Sequence, residues 1–222
     1  MTSMIQFIMI FVVLTNLILL GSSRRSSCIR LVAAQGILLG MLPLILPGHL
    51  FEHGLNFGAL FLAAASIVFK GVVFPRMLMR AERTVGVKRE FQPIIGYSTS
   101  ILLGIVFLAF SLWLGTKLPL PQKLAESVGS QLAVPVSVYT ILIGLLLIIS
   151  RNKALTQVLG YLVMENGIYI FGVTFVRDQP WLVETGILLD VFVAVFVMGI
   201  AIFHISREFD HMDVDQLTVL KD

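Results

Sequence analysis

Charge is scarce in this chain and cysteine nearly absent, and each shortage excludes something. Charged residues make up 13% of 222 positions, where soluble globular domains carry about a quarter. So little charge cannot build a solvated surface, which excludes a free-standing soluble domain. One cysteine, Cys28, rules out an internal disulfide. It equally rules out a cysteine-built zinc site, or an iron–sulfur cluster held by this chain alone. There is no Walker loop, no glycine-rich dinucleotide fingerprint, no Gly-x-Ser-x-Gly elbow and no His-Glu-x-x-His pair. Nothing marks a self-contained enzyme. The first apolar run, 4–20, lacks the basic start and small-residue cleavage site of a signal peptide, so it counts as a membrane span.

Apolar residues are what the chain has. They form 57% of it, and the mean hydropathy is +0.95. Seven segments, near 3–21, 28–47, 55–79, 92–115, 131–150, 155–176 and 181–206, are long enough to cross about 30 Å of hydrocarbon as helices. The expectation is an all-α integral membrane protein, a seven-helix transmembrane bundle forming one domain over 1–222. Within it lie five N-terminal helices (1–150), a helix pair (151–206) and a tail (207–222). The net charge of +3 and pI near 9.2 reflect topology rather than nucleic-acid binding. Arg24, Arg25, Arg30, Arg76, Arg80, Arg83, Lys88, Arg89, Arg151, Lys153, Arg207 and Lys221 fall in one set of loops; Lys117, Lys123 and Arg177 fall in the other. Twelve against three puts the first set, and the C-terminus, in the cytoplasm and the N-terminus outside.

Several local features are set beside plainer readings. Gly36 and Gly40 have the small-xxx-small spacing that lets two helix backbones approach, and chance in a glycine-rich membrane chain explains it equally well. Pro43 leaves the carbonyl of Leu39 without its helical donor, so a kink is expected there. His49, Glu52 and His53 fit a solvated loop better than a metal site. The basic stretch Ala81–Glu90 reads as a topology anchor, and 117–129 as an interfacial outer loop. In the tail, Val214, Leu217 and Leu220 are spaced three apart, as a short docking helix needs.

Four charges sit inside apolar spans: Lys70, Glu165, Glu184 and Asp190. A carboxylate at the bilayer centre costs about 2.5–3.5 kcal/mol on insertion scales, so those that persist commonly handle protons or ions. Counting at 1.5 Å per residue from each helix end puts Lys70 about 22 Å from the outer face. The same count puts Glu165 roughly 15 Å from the inner face and Asp190 roughly 14 Å from the outer one, with Glu184 shallower. Lys70, Glu165 and Asp190 are therefore expected to form one cluster, in which one lysine facing two acids leaves a movable proton. Pro75 frees the carbonyl of Gly71 and makes a polar spot beside Lys70. Tyr161 and Tyr169 lie four residues either side of Glu165 on its helix face and, with Asn166, offer groups to a proton or water chain. The plainer readings are a snorkelling lysine and neutral acids that fix helix packing.

The run from Arg151 to Gly167, which contains Met164-Glu165-Asn166-Gly167, resembles the hydrogenase-4 component E family. So do Leu182-Val183-Glu184-Thr185-Gly186 with Asp190, and the tail from Asp213 to Lys221. The likeness is good over 150–222, fair around Lys70–Pro75 and topological before that. It implies a non-catalytic membrane subunit of a complex I-like, formate hydrogenlyase-type hydrogenase in a bacterial or archaeal cytoplasmic membrane. Nickel–iron and iron–sulfur centres would belong to partner subunits, with no cofactor in this chain, and antiporter-like subunits would be its neighbours. The last helices are similar to the NuoK-type subunit. Asp190 falls where the later of its two embedded acids stands, and Glu165 about one turn from the earlier. Proton-transfer candidates are thus Lys70, Glu165, Glu184, Asp190, Tyr161, Tyr169 and Asn166. A subunit of a multisubunit cation/proton antiporter and a passive scaffold for antiporter-like subunits remain as alternatives.

Overall fold

The computed structural model describes residues 2–45, 64, 67–84, 95–117, 128–151, 154–175 and 199. Every regular element among these residues is a helix, as the composition requires. In chain order they are α1 (Thr2–Gly21), α2 (Arg25–Gly40), the single turn α3 (Leu42–Ile45), and a π-turn over Phe69–Val73 that runs into α4 (Phe74–Thr84). Then come α5 (Tyr97–Lys117), α6 (Val128–Ser150) and α7 (Ala154–Phe175). Among the described residues, Ser3–Gly21, Tyr97–Lys117 and Leu132–Ser150 have the length and composition to cross a membrane. The 22 residues of α7 span about 33 Å.

Two proline effects are visible. The second apolar segment is not one helix to 47 as its hydropathy suggests, because it breaks at Met41 just ahead of Pro43. There the amide of Met41 turns back to the carbonyl of Leu38 at 3.3 Å, a tight turn before the residue that cannot donate. Ahead of Pro75 the helix widens instead of kinking. The amide of Phe74 bonds the carbonyl of Phe69 five residues back, closing a π-turn that contains Lys70. Beyond it α4 continues to Thr84, past the expected end at 79. It buries Phe74 and Leu78 and exposes Arg76 and Arg80, as an amphipathic segment at a membrane surface does.

The packing is that of a protein in lipid. Met4, Phe7, Ile10, Leu14 and Ile18 recur every three or four residues along α1 and are all exposed. Leu102, Ile105, Val106, Phe110 and Trp113 do the same on α5. Lipid tails accept such faces, but they cannot satisfy polar groups, which turn inward. Thr15, Asn16, Gln35, Lys70, Ser137, Thr140, Arg151, Glu165 and Asn166 are accordingly buried.

The most extensive helix contact among the described residues is between α6 and α7, an antiparallel pair. Glycine lets their backbones meet. A methyl group on Gly144 would lie 2.5 Å from the amide nitrogen of Met164, and one on Gly160 2.9 Å from the carbonyl oxygen of Gly144. α1 and α5 pack on α6, and α2 packs on α7. The middle of α7 therefore faces the centre of the bundle.

Candidate functional site

Glu165 stands on that central stretch of α7 and is 3% exposed. Lys70 reaches it from the π-turn, with Nζ 2.7 Å from Oε1 of Glu165 and both side chains 4% exposed. Its backbone position is set by α2. A methyl group on Gly36 would fall 2.5 Å from Cβ of Lys70, so the π-turn rides directly on the glycine face of α2. The small-xxx-small spacing thus marks a real contact through Gly36.

Two further groups stand against the ammonium. Nζ donates a long hydrogen bond, 3.5 Å, to Oδ1 of Asn166. It also lies 4.5 Å from the centre of the Tyr169 ring, whose electron-rich face attracts a cation. Desolvating two opposite charges costs several kcal/mol each, and close contact with added polar partners is what offsets it. Lys70 does not snorkel to the interface; its charge is spent inside the bundle.

Of the residues expected from the sequence, Lys70, Glu165, Asn166 and Tyr169 meet here. Tyr161 is half-buried one turn towards the start of α7. Glu184 and Asp190 lie outside the described residues, as do His49, Glu52, His53 and the tail. The expected three-charge cluster is thus described through its Lys70–Glu165 pair.

Other buried polar groups escaped the sequence reading. Gln35 on α2 is fully buried and donates to Oγ1 of Thr15 at 2.5 Å and Oδ1 of Asn16 at 2.9 Å, both on α1. Asn166 donates to Oε1 of Gln35 at 3.5 Å, and Asn16 donates to Oγ1 of Thr140 at 3.0 Å. The signal was an uncharged amide in an apolar span, next to the glycine that touches Lys70. Its position in a loop makes Arg151 an expected topology anchor, yet it is 2% exposed. It donates to the carbonyl of Leu20 at 3.2 Å and stands 4.8 Å from the centre of the Tyr97 ring. A cation at the C-terminal end of α1 meets carbonyls that the helix itself leaves open.

A helical bundle with lipid-facing stripes and a buried lysine–glutamate pair defines an integral membrane subunit with a charged interior. The family of NADH-ubiquinone/plastoquinone oxidoreductase chain 4L, the NuoK type, matches residues 132–222, which begin within α6 and take in α7. Hydrogenase-4 component E of Escherichia coli K12 is 30% identical over 159 residues, 72% of each chain. Hydrogenase-4 component E of Shigella flexneri gives the same figures. The uncharacterized protein Rv0085 of Mycobacterium tuberculosis is 28% identical over 213 residues, 95% of this chain and 92% of that one. No solved structure matches the chain. The chain belongs to the hydrogenase-4 component E family. It is a membrane subunit of a complex I-like assembly, with other subunits of that assembly as its partners.

Proposed function

We propose that this chain is a non-catalytic membrane subunit of a formate hydrogenlyase-type hydrogenase and takes part in proton translocation through its buried charges. The observation that carries the reading is the Lys70–Glu165 contact of 2.7 Å, closed off from solvent. An ion pair in such a place can exchange a proton for a change of contact. Redox chemistry at nickel–iron and iron–sulfur centres in partner subunits drives the movement, and antiporter-like subunits continue the path in the membrane. Asp190 and Glu184, with Tyr161, Tyr169 and Asn166, extend the path from the pair. The relatives named as hydrogenase components favour this reading over a cation/proton antiporter.

The test is purification of the intact complex from its membrane, identification of its subunits, and reconstitution in vesicles. Nickel–iron and iron–sulfur subunits should co-purify, and hydrogen turnover should move protons across the vesicle wall without added sodium. A complex lacking redox subunits, or one whose transport needs sodium, overturns it.

Topology follows from the same reading: seven spans in a bacterial or archaeal cytoplasmic membrane, N-terminus outside, with 1–150, 151–206 and 207–222 as five helices, helix pair and cytoplasmic tail. In a Cys28→Ser background, Glu126→Cys should react with impermeant maleimide added outside, and Asp213→Cys only after the membrane is opened. The reverse labelling pattern contradicts this orientation.

A further inference from the structure

The hydrogen bonds that lead from Lys70 through Asn166 run in one direction. Nζ donates to Asn166, whose amide donates to Gln35, whose amide donates to Asn16, whose amide donates to Thr140. The Thr140 hydroxyl closes the series by donating to the carbonyl of Val136 at 2.7 Å.

Both ends dictate that direction. An ammonium has donors and no acceptor, so only an oxygen can face it from Asn166. At the far end the single hydroxyl hydrogen of Thr140 is used on Val136, and Oγ1 is left to accept. Thr15 behaves likewise, its hydroxyl directed at the carbonyls of Phe11 and Val12 while it accepts from the amide of Gln35, which also reaches the carbonyl of Val12 at 3.4 Å. Turning any one amide over would set donor against donor. Each amide therefore presents its oxygen towards Lys70, and bonds arranged head to tail strengthen one another in a medium of low dielectric.

We propose that Gln35, Asn16 and Thr140 are positioning residues for the Lys70–Glu165 pair, a one-way hydrogen-bonded anchor that reaches through Asn166 and fixes where the ammonium stands. Gln35 and Asn16 lie outside the residues matched to chain 4L, so the N-terminal helices complete the site rather than merely surround it. The anchor holds Lys70 without touching Glu165. Its effect on transport rests on the function proposed above; its effect on the geometry of the pair does not.

The experiment uses the reconstituted complex and two readouts: protons moved per redox turnover, and the infrared band of the Glu165 carboxyl group, assigned by its absence in Glu165→Gln. Gln35→Met keeps the length of the side chain and removes the amide. It should displace the Glu165 band and lower translocation by about 10–100-fold, the scale on which a reacting group misplaced by about 1 Å loses rate. Thr140→Val keeps the volume and removes the hydroxyl at the far end, so it should displace the same band, while Thr140→Ser should restore both readouts. An unmoved band in Gln35→Met, or identical behaviour of Thr140→Val and Thr140→Ser, overturns the anchor. If Gln35→Met fails to assemble, the two Thr140 variants decide. Should Glu165→Gln itself transport normally, the transport reading falls, and the band still decides whether the anchor exists.

Discussion

Replacing Glu165 with glutamine is expected to abolish coupled ion movement while the complex assembles and its redox reaction continues. The carboxyl group is the partner that Lys70 meets at 2.7 Å, and an amide in its place cannot take up or release a proton. Glutamine keeps the shape and an oxygen within reach of Nζ, which is why assembly should survive. The loss should also register in stability. Breaking a buried ion pair by removing one partner costs about 3–5 kcal/mol, because the other charge stays buried. The larger part of that cost should appear in Glu165→Leu, which offers no oxygen. The double variant Lys70→Met/Glu165→Met should recover much of the stability, since apolar side chains of similar volume often replace such a pair without loss. It should recover no transport. That divergence separates a working pair from a packing device. Wild-type translocation by Glu165→Gln would leave the pair a structural role only.

The second large effect is expected at the α6–α7 contact. The atoms that a methyl group on Gly144 would strike include the amide nitrogen of Met164 at 2.5 Å and the carbonyl oxygen of Gly160 at 2.7 Å. On Gly160 the obstacles include the carbonyl of Gly144 and the amide of Ile148, both at 2.9 Å. Backbone atoms cannot swing aside as a side-chain end can, so the helices must part. Gly160→Ala should cost about 1–3 kcal/mol, the usual range for forcing extra carbon into a packed contact. Gly160→Leu should separate the helices and carry Glu165 away from Lys70, losing the subunit from the purified complex. Gly172 on the same helix supplies the control, because nothing lies within 4 Å of a methyl group placed there. Gly172→Ala should be neutral, or stabilising by about 0.5–1 kcal/mol through helix propensity. Thermal denaturation of the purified complex distinguishes these outcomes. Equal behaviour of the Gly160 and Gly172 alanine variants would mean that close approach is not what the glycines serve.

Charge and depth were readable from the sequence, and direction was not. Lys70 and Glu165 could be matched because a charged residue in an apolar span stands out, and counting along a helix converts position into depth. Pro75 and Gly36 likewise announced a disturbed backbone and a close contact. The amides were hidden for a physical reason. Asn16, Gln35 and Thr140 carry no charge, and each becomes informative only through partners on other helices. Arg151 shows the same limit from the other side: its place at a span boundary suggested an exposed anchor, while the end of α1 and the Tyr97 ring enclose it. Glu184 and Asp190 were equally legible as embedded acids, and they lie outside the described residues.

The π-turn over Phe69–Val73 also shifts the angular phase of its helix. One residue more than an α-turn holds displaces everything on one side of it by about 100° relative to the other side, since 3.6 residues complete a circle. Lys70, Phe74 and Leu78, spaced four apart, would share a face in an uninterrupted α-helix as well; what the widened turn changes is how the residues ahead of it are turned relative to α4. A related chain without the widened turn would have one residue fewer between the stretch ahead of it and α4. When such chains are superimposed residue by residue without a gap, the functional lysine will look missing in a protein that has it.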